Sequence, residues 1–168
     1  KKGQLAIAQE NTDDKPASKI QLLNNNKIEL TGEESVAIYG KRAEIDNKGS
    51  ISVGEKSAAI YLVEDNGGKT LAGSAKNNGL ITLGEYSSGM LYKSTATGKY
   101  QALDGGIFNF GEIKSPAKNA IGMNFESSHN SKKIINETTG KIELTGENSI
   151  GMYASGTGNY EIQNLGKI

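Results

Sequence analysis

The chain has 168 residues, equal numbers of basic and acidic side chains (19 of each) and no cysteine. Zero net charge leaves no basic footprint for nucleic acid, the missing cysteine removes any disulfide framework, and no apolar run is long enough to cross a membrane as a helix. Only 35% of the residues are hydrophobic and 6% aromatic, against roughly 45–50% apolar in a packed globule, so the sequence predicts a thin core with one apolar row per strand.

Residues 1–21 read as a partial N-terminal coil; their opening apolar stretch is too short for a secretory signal. A repeat follows, with coils near 22–44, 45–74, 75–106, 107–133 and 134–161 and a partial coil at 162–168. The chain stops inside this repeat and is expected to be part of something longer. Each coil opens with a short strand two residues before an Asn: Leu22, Ile45, Ala75, Ile107, Ile134 and Ile162 mark it. The Asn comes next, then a second strand. The first copy is Asn24-Asn25-Asn26-Lys27-Ile28-Glu29-Leu30, and the next is Asn47-Lys48-Gly49-Ser50-Ile51-Ser52-Val53. Asn77-Asn78-Gly79-Leu80-Ile81-Thr82-Leu83 and Asn109-Phe110-Gly111-Glu112-Ile113-Lys114-Ser115 repeat it, Asn136 to Leu144 stretches it, and Asn164-Leu165-Gly166-Lys167-Ile168 ends it. The third strand reads Ser35-Val36-Ala37-Ile38-Tyr39, Ser57-Ala58-Ala59-Ile60-Tyr61, Ser87-Ser88-Gly89-Met90-Leu91, Ala120-Ile121-Gly122-Met123-Asn124 and Ser149-Ile150-Gly151-Met152-Tyr153.

The aligned Ile residues, 28, 51, 81, 113, 142 and 168, are spaced by 23, 30, 32, 29 and 26 residues. A helical repeat would hold a fixed length, whereas a coil with loops of variable size would not. Alternation of apolar and small or polar residues marks strands. The fold class predicted is all-β: a right-handed parallel β-helix, or solenoid, with three short strands per coil and about 5–6 coils. Strands of successive coils pair ~4.8 Å apart. Asn24, Asn47, Asn77, Asn109, Asn136 and Asn164 are expected to point inward and stack, bonding turn backbone and one another. The Gly two residues later is expected to supply a permissive backbone. In the third strand, counting by two places Val36 on the same side as Ile38.

Signals for chemistry are thin. His129 is the single histidine and sits in a polar loop sequence, no cysteine nucleophile or Gly-x-Ser-x-Gly elbow occurs, and Arg42 is the only arginine. Zinc-ligand spacing and calcium-binding nonapeptides are also missing. A glycosidase needs two carboxylates ~5–9.5 Å apart; Glu64-Asp65 and Asp104 fall in loops of adjacent coils, while Glu29 and Glu143 flank core Ile residues and read as a solvated face. Two insertions, residues 64–74 and 93–106, leave the same corner of successive coils and are a candidate binding surface. The candidate binding residues are Asp65, Lys69, Lys99, Tyr100 and Asp104 in these loops, and Tyr39, Tyr61 and Tyr153 in one outward column that could hold sugar rings or a protein. A corner seal is the alternative reading of the tyrosines. No cofactor, metal or catalytic residue is assigned.

The repeat Asn-x-Gly-x-Ile-x-Val/Leu-x-Gly followed by Ser-x-Ala/Gly-Ile/Met-Tyr resembles that of large bacterial autotransporter adhesins of the fusobacterial outer-membrane type, over residues 22–168. The resemblance implies a cell-surface, extracellular passenger domain, exported through a C-terminal membrane barrel that this chain does not contain. It also implies a non-enzymatic stalk segment that mediates or presents attachment, with a host-cell or bacterial surface protein or glycan as partner. A monomeric rod is expected, since coils close within one chain. The alternative is a polysaccharide-binding or polysaccharide-degrading β-helix of the lyase or tailspike type.

Overall fold

A computed structural model describes residues 2–10, 20–64, 73–94, 105–127, 132–157 and 159–168. Its strands, in chain order, are β1 (Leu5–Glu10), β2 (Ile20–Asn24), β3 (Lys27–Leu30), β4 (Val36–Lys41), β5 (Ala43–Asn47), β6 (Ser50–Val53), β7 (Ala58–Glu64), β8 (Ser74–Asn77) and β9 (Leu80–Leu83). They continue as β10 (Ser88–Ser94), β11 (Gly106–Asn109), β12 (Glu112–Ser115), β13 (Ile121–Ser127), β14 (Lys132–Asn136), β15 (Lys141–Leu144), β16 (Ile150–Ser155) and β17 (Tyr160–Asn164). Every third strand pairs in parallel. The first sheet is β1-β4-β7-β10-β13-β16, the second β2-β5-β8-β11-β14-β17 and the third β3-β6-β9-β12-β15. The chain is therefore a parallel β-solenoid with three strands per coil. The outermost strands are covered on one side only, so about four turns carry a core closed above and below, fewer than the five to six coils expected.

The core is a set of columns, like on like. In the third sheet Ile28, Ile51, Ile81, Ile113 and Ile142 lie in register, and Leu22, Ile45, Ala75, Ile107, Ile134 and Ile162 do so in the second. Most of these side chains are fully buried. Burying each fully enclosed Ile stabilises the fold by about 1.5–3 kcal/mol.

The first sheet departs from simple alternation. Its register pairs Val36, Ala58, Ser88, Ile121 and Ile150, skips one residue, and resumes at Ile38, Ile60, Met90, Met123 and Met152. The skipped residues face inward: Ala37 and Ala59 are fully buried, and a Cβ on Gly89 or Gly122 would meet the side chain of Ile113 or Ile142 at 2.9 or 2.8 Å. Two successive residues thus point at the core, and only Ala or Gly fits the first of them. The Val36 column is turned outward in consequence, opposite to the parity read by counting.

The glycine after each Asn also has a different cause from the one expected. Gly49, Gly79, Gly111 and Gly166 are not among the residues with positive φ. They are required by close approach: a Cβ on Gly79 would overlap the carbonyl oxygen of Gly49 one coil away. Left-handed backbone lies elsewhere, at Arg42 between the first and second sheets and, recurrently, at the corner from the third sheet to the first. Glu34, Lys56, Tyr86, Asn119 and Asn148 occupy it, with φ between 52° and 58°.

Candidate functional site

Three regions could carry function: the interior ladders, the outward faces of the sheets, and the corner where the first sheet hands over to the second.

The interior asparagines form one chain of hydrogen bonds. The Nδ2 of Asn24, Asn47, Asn77, Asn109 and Asn136 each donates to the Oδ1 of the next, at 2.7–2.8 Å, ending at Asn164. Asn47, Asn77, Asn109 and Asn136 are fully buried. The Oδ1 of Asn77 also accepts from the backbone N–H of Gly79 at 3.3 Å, so each amide closes its own turn while bonding its neighbour. A second ladder, unforeseen from the sequence, runs at the left-handed corner. The backbone N–H groups of Gln4, Ser35 and Ser57 donate to the hydroxyls of Ser35, Ser57 and Ser87 at 3.0–3.1 Å. The recurring Ser that opens the third motif was its visible signal.

Tyr39, Tyr61, Leu91, Asn124 and Tyr153 share one outward column of the first sheet. The rings of Tyr39 and Tyr61 meet edge to face, with centroids 5.6 Å apart, and the Tyr39 hydroxyl donates to Glu10 at 3.2 Å. Tyr153 is exposed and stands apart from that pair, two rungs beyond Leu91. Beside this column runs a polar one that includes Lys41, Lys93 and Glu126, the last two paired at 3.3 Å. On the outside of the second sheet a concavity of about 470 Å³ is lined by Gln21, Leu23, Glu44, Asp46, Lys48 and Lys76, among others. Glu44 accepts a hydrogen bond from Ser74, and Asp46 from Asn78 at 2.7 Å.

Asp65, Lys69, Lys99, Tyr100, Asp104 and His129 lie outside the described residues. The residues that flank the insertions are described, and they correct one expectation. Glu64 is not a loop carboxylate: it ends β7 and is buried. Its Oε1 accepts from the backbone N–H of Gly73 at 2.7 Å, and its Oε2 from the Tyr92 hydroxyl at 2.6 Å. The ammonium of Lys132, whose side chain is 1% exposed, lies 3.1 Å from Oε2. Burial, with the Glu64 charge beside it, pushes the Tyr92 phenol far above its ordinary pKa, so it stays a donor. Tyr92 stacks on Phe125 at 4.6 Å with the planes 8° apart, and Phe125 meets Tyr160 at 5.5 Å. Among the described residues, no group of three or more His, Asp or Glu could hold a metal ion.

Polar ladders inside and patterned columns outside define a parallel β-solenoid with three strands per coil. The whole chain, residues 1–168, matches the family described as the BigA third pectate lyase-like domain, and it belongs to that family. BigA is a bacterial surface protein. This match supports a passenger-like domain of a surface protein and not the fusobacterial type in particular. No curated protein and no solved structure gave a match.

Proposed function

We propose that this domain is a non-catalytic stalk segment of a cell-surface adhesin, exported as an autotransporter passenger, and that it mediates or presents attachment to host cells or other bacteria. One observation carries the reading: the Tyr39–Tyr61–Leu91–Asn124–Tyr153 column runs along the outside of the first sheet beside the Val36–Ala58–Ser88–Ile121–Ile150 column, with Tyr153 and Ile150 exposed. Aromatic rings with adjacent Lys and Glu suit the faces and hydroxyls of sugars, or the side chains of a protein partner. Replacing Tyr39, Tyr61 and Tyr153 together by Ser is expected to lower attachment of the domain to cells and to arrayed glycans. Undiminished attachment by a folded triple variant would remove this face from consideration.

The second reading, a polysaccharide-binding or polysaccharide-cleaving domain, is favoured by the family's lyase-like fold and by the concavity holding Glu44, Asp46 and Lys76. It predicts release of unsaturated or reducing sugar ends from acidic polysaccharide, lost in Asp46→Asn. Absence of such release across a substrate panel favours the stalk.

A further inference from the structure

In a solenoid each coil normally touches only the coils above and below it, so stability is a sum of nearest-neighbour terms and coils can open one at a time. The Asn ladder obeys this, since its bonds join residues 23 to 32 apart, which is one coil. The bond between Lys132 and Glu64 joins residues 68 apart, which is two coils. The space for it comes from the register. One residue before the second-sheet pairs, Ala43, Gly73, Gly105 and Lys132 follow one another up the corner, so the two glycines place no side chain between Lys132 and Glu64. The coil in between supplies Tyr92, which bonds the same carboxylate, and Phe125 lies against that ring.

We infer that Glu64, Tyr92 and Lys132 form an internal staple that makes the coils from β7 to β14 open as one unit. It breaks the nearest-neighbour behaviour of the repeat at the corner that bears the insertions. It also gives three otherwise similar coils a fixed order. The Asn ladder is the same in every coil and would tolerate a coil paired with the wrong neighbour, whereas a buried Glu accepts only the coil that brings Lys132. Buried ion pairs are weak sources of net stability but can specify a unique arrangement. The staple is independent of the attachment face proposed above.

Native-state hydrogen exchange followed by mass spectrometry tests it on the whole chain. In the unaltered protein, amides of β7, β8, β10, β11, β13 and β14 are expected to share one opening equilibrium, with protection agreeing within about threefold. The double variant Glu64→Gln, Lys132→Met removes both charges and keeps the shape, so it is expected to fold. In it, protection of β13–β14 should part from that of β7–β8 by about tenfold or more. Lys132→Arg, which keeps the charge, should hold the strands together better than the double variant. Unequal protection in the unaltered protein, or unchanged joint opening in the double variant, would overturn the staple.

Discussion

Asn77 and Asn109, both fully buried, are joined by a 2.8 Å hydrogen bond from the Nδ2 of the first to the Oδ1 of the second. Asn77 also receives Asn47 from below at 2.8 Å. Removing its amide would strand a donor on one side and an acceptor on the other. Asn77→Leu is expected to lower stability by about 1–3 kcal/mol, the cost of an unsatisfied buried polar group. A urea-unfolding midpoint equal to that of the unaltered chain would show that the ladder is not stabilising.

The serine ladder has a gap. Ser87 receives the Ser57 N–H, but one coil further on the equivalent residue is Ala120, which is fully buried and has no hydroxyl; Ala120 N–H in turn donates to Ser149 at 3.2 Å. Ala120→Ser fills the gap with one hydrogen bond and is expected to raise stability by about 0.5–1.5 kcal/mol. Chemical denaturation measures the gain; a loss would mean the corner has no room for the oxygen.

Tyr86 sits at φ 54° with its ring exposed, at the position where later coils use Asn119 and Asn148. A left-handed conformation costs a non-glycine residue about 1–2 kcal/mol, and Asn bears it best. Tyr86→Asn is therefore expected to raise the melting temperature, by an increment near 1 kcal/mol in stability. An unaltered or lower melting temperature would show that contacts of the ring outweigh the strain.

Gly79→Ala tests close approach. The added Cβ would overlap the Gly49 carbonyl oxygen, which is backbone and cannot turn aside. Forced overpacking costs about 1–3 kcal/mol, and the rigid neighbour places this site at the upper end. A variant as stable as the parent would mean that the coils can part locally without cost.

Glu143 and Lys141 lie on the outside of the third sheet, with Lys141 also reaching Glu112 at 3.4 Å. The hydrogen bond from Lys141, reinforced by its charge, holds the Glu143 carboxyl below its ordinary pKa, and the same pair raises that of Lys141. A carboxyl with a depressed folded pKa contributes above its unfolded pKa and loses the contribution as pH falls through the folded value. A raised lysine contributes below its unfolded pKa and loses it as pH rises through the folded one. Both groups are fully exposed, so salt should erase the effect. An NMR titration is expected to place the Glu143 midpoint below 4.5, moving upward in Lys141→Ala or in high salt. A midpoint indifferent to both changes would contradict the pairing.

Much of this architecture was legible in the order of residues, because a solenoid repeats a local pattern and adjacent coils carry like residues at like positions. Ile51 above Ile28, or Met123 above Met90, follows from alignment alone. The parity of Val36 was not legible. The strand bends at Ala37, and a bend that turns two successive residues inward looks in sequence like ordinary alternation with a small residue in the middle. The role of Gly79 was misread for a similar reason: a glycine needed for space and one needed for a left-handed backbone are the same letter. That Tyr39 and Tyr61 share a column was legible from their recurrence in phase, but whether they stack outward or seal a corner was left open.

Sequence periodicity by itself determined which residues stack, which columns are apolar and where each turn falls, since those depend on neighbours one coil away that carry the same motif. Only tertiary structure decided where the unrepeated charges go. Glu64 is in register with Ser94 and Lys132 with Tyr160, so neither charge recurs beside itself, and the two stand 68 residues apart. They meet because two glycines leave the corner open between them and Tyr92 closes it from the adjoining coil. Burial of a charge depends on everything that surrounds it in space, and no single stretch of chain contains that information.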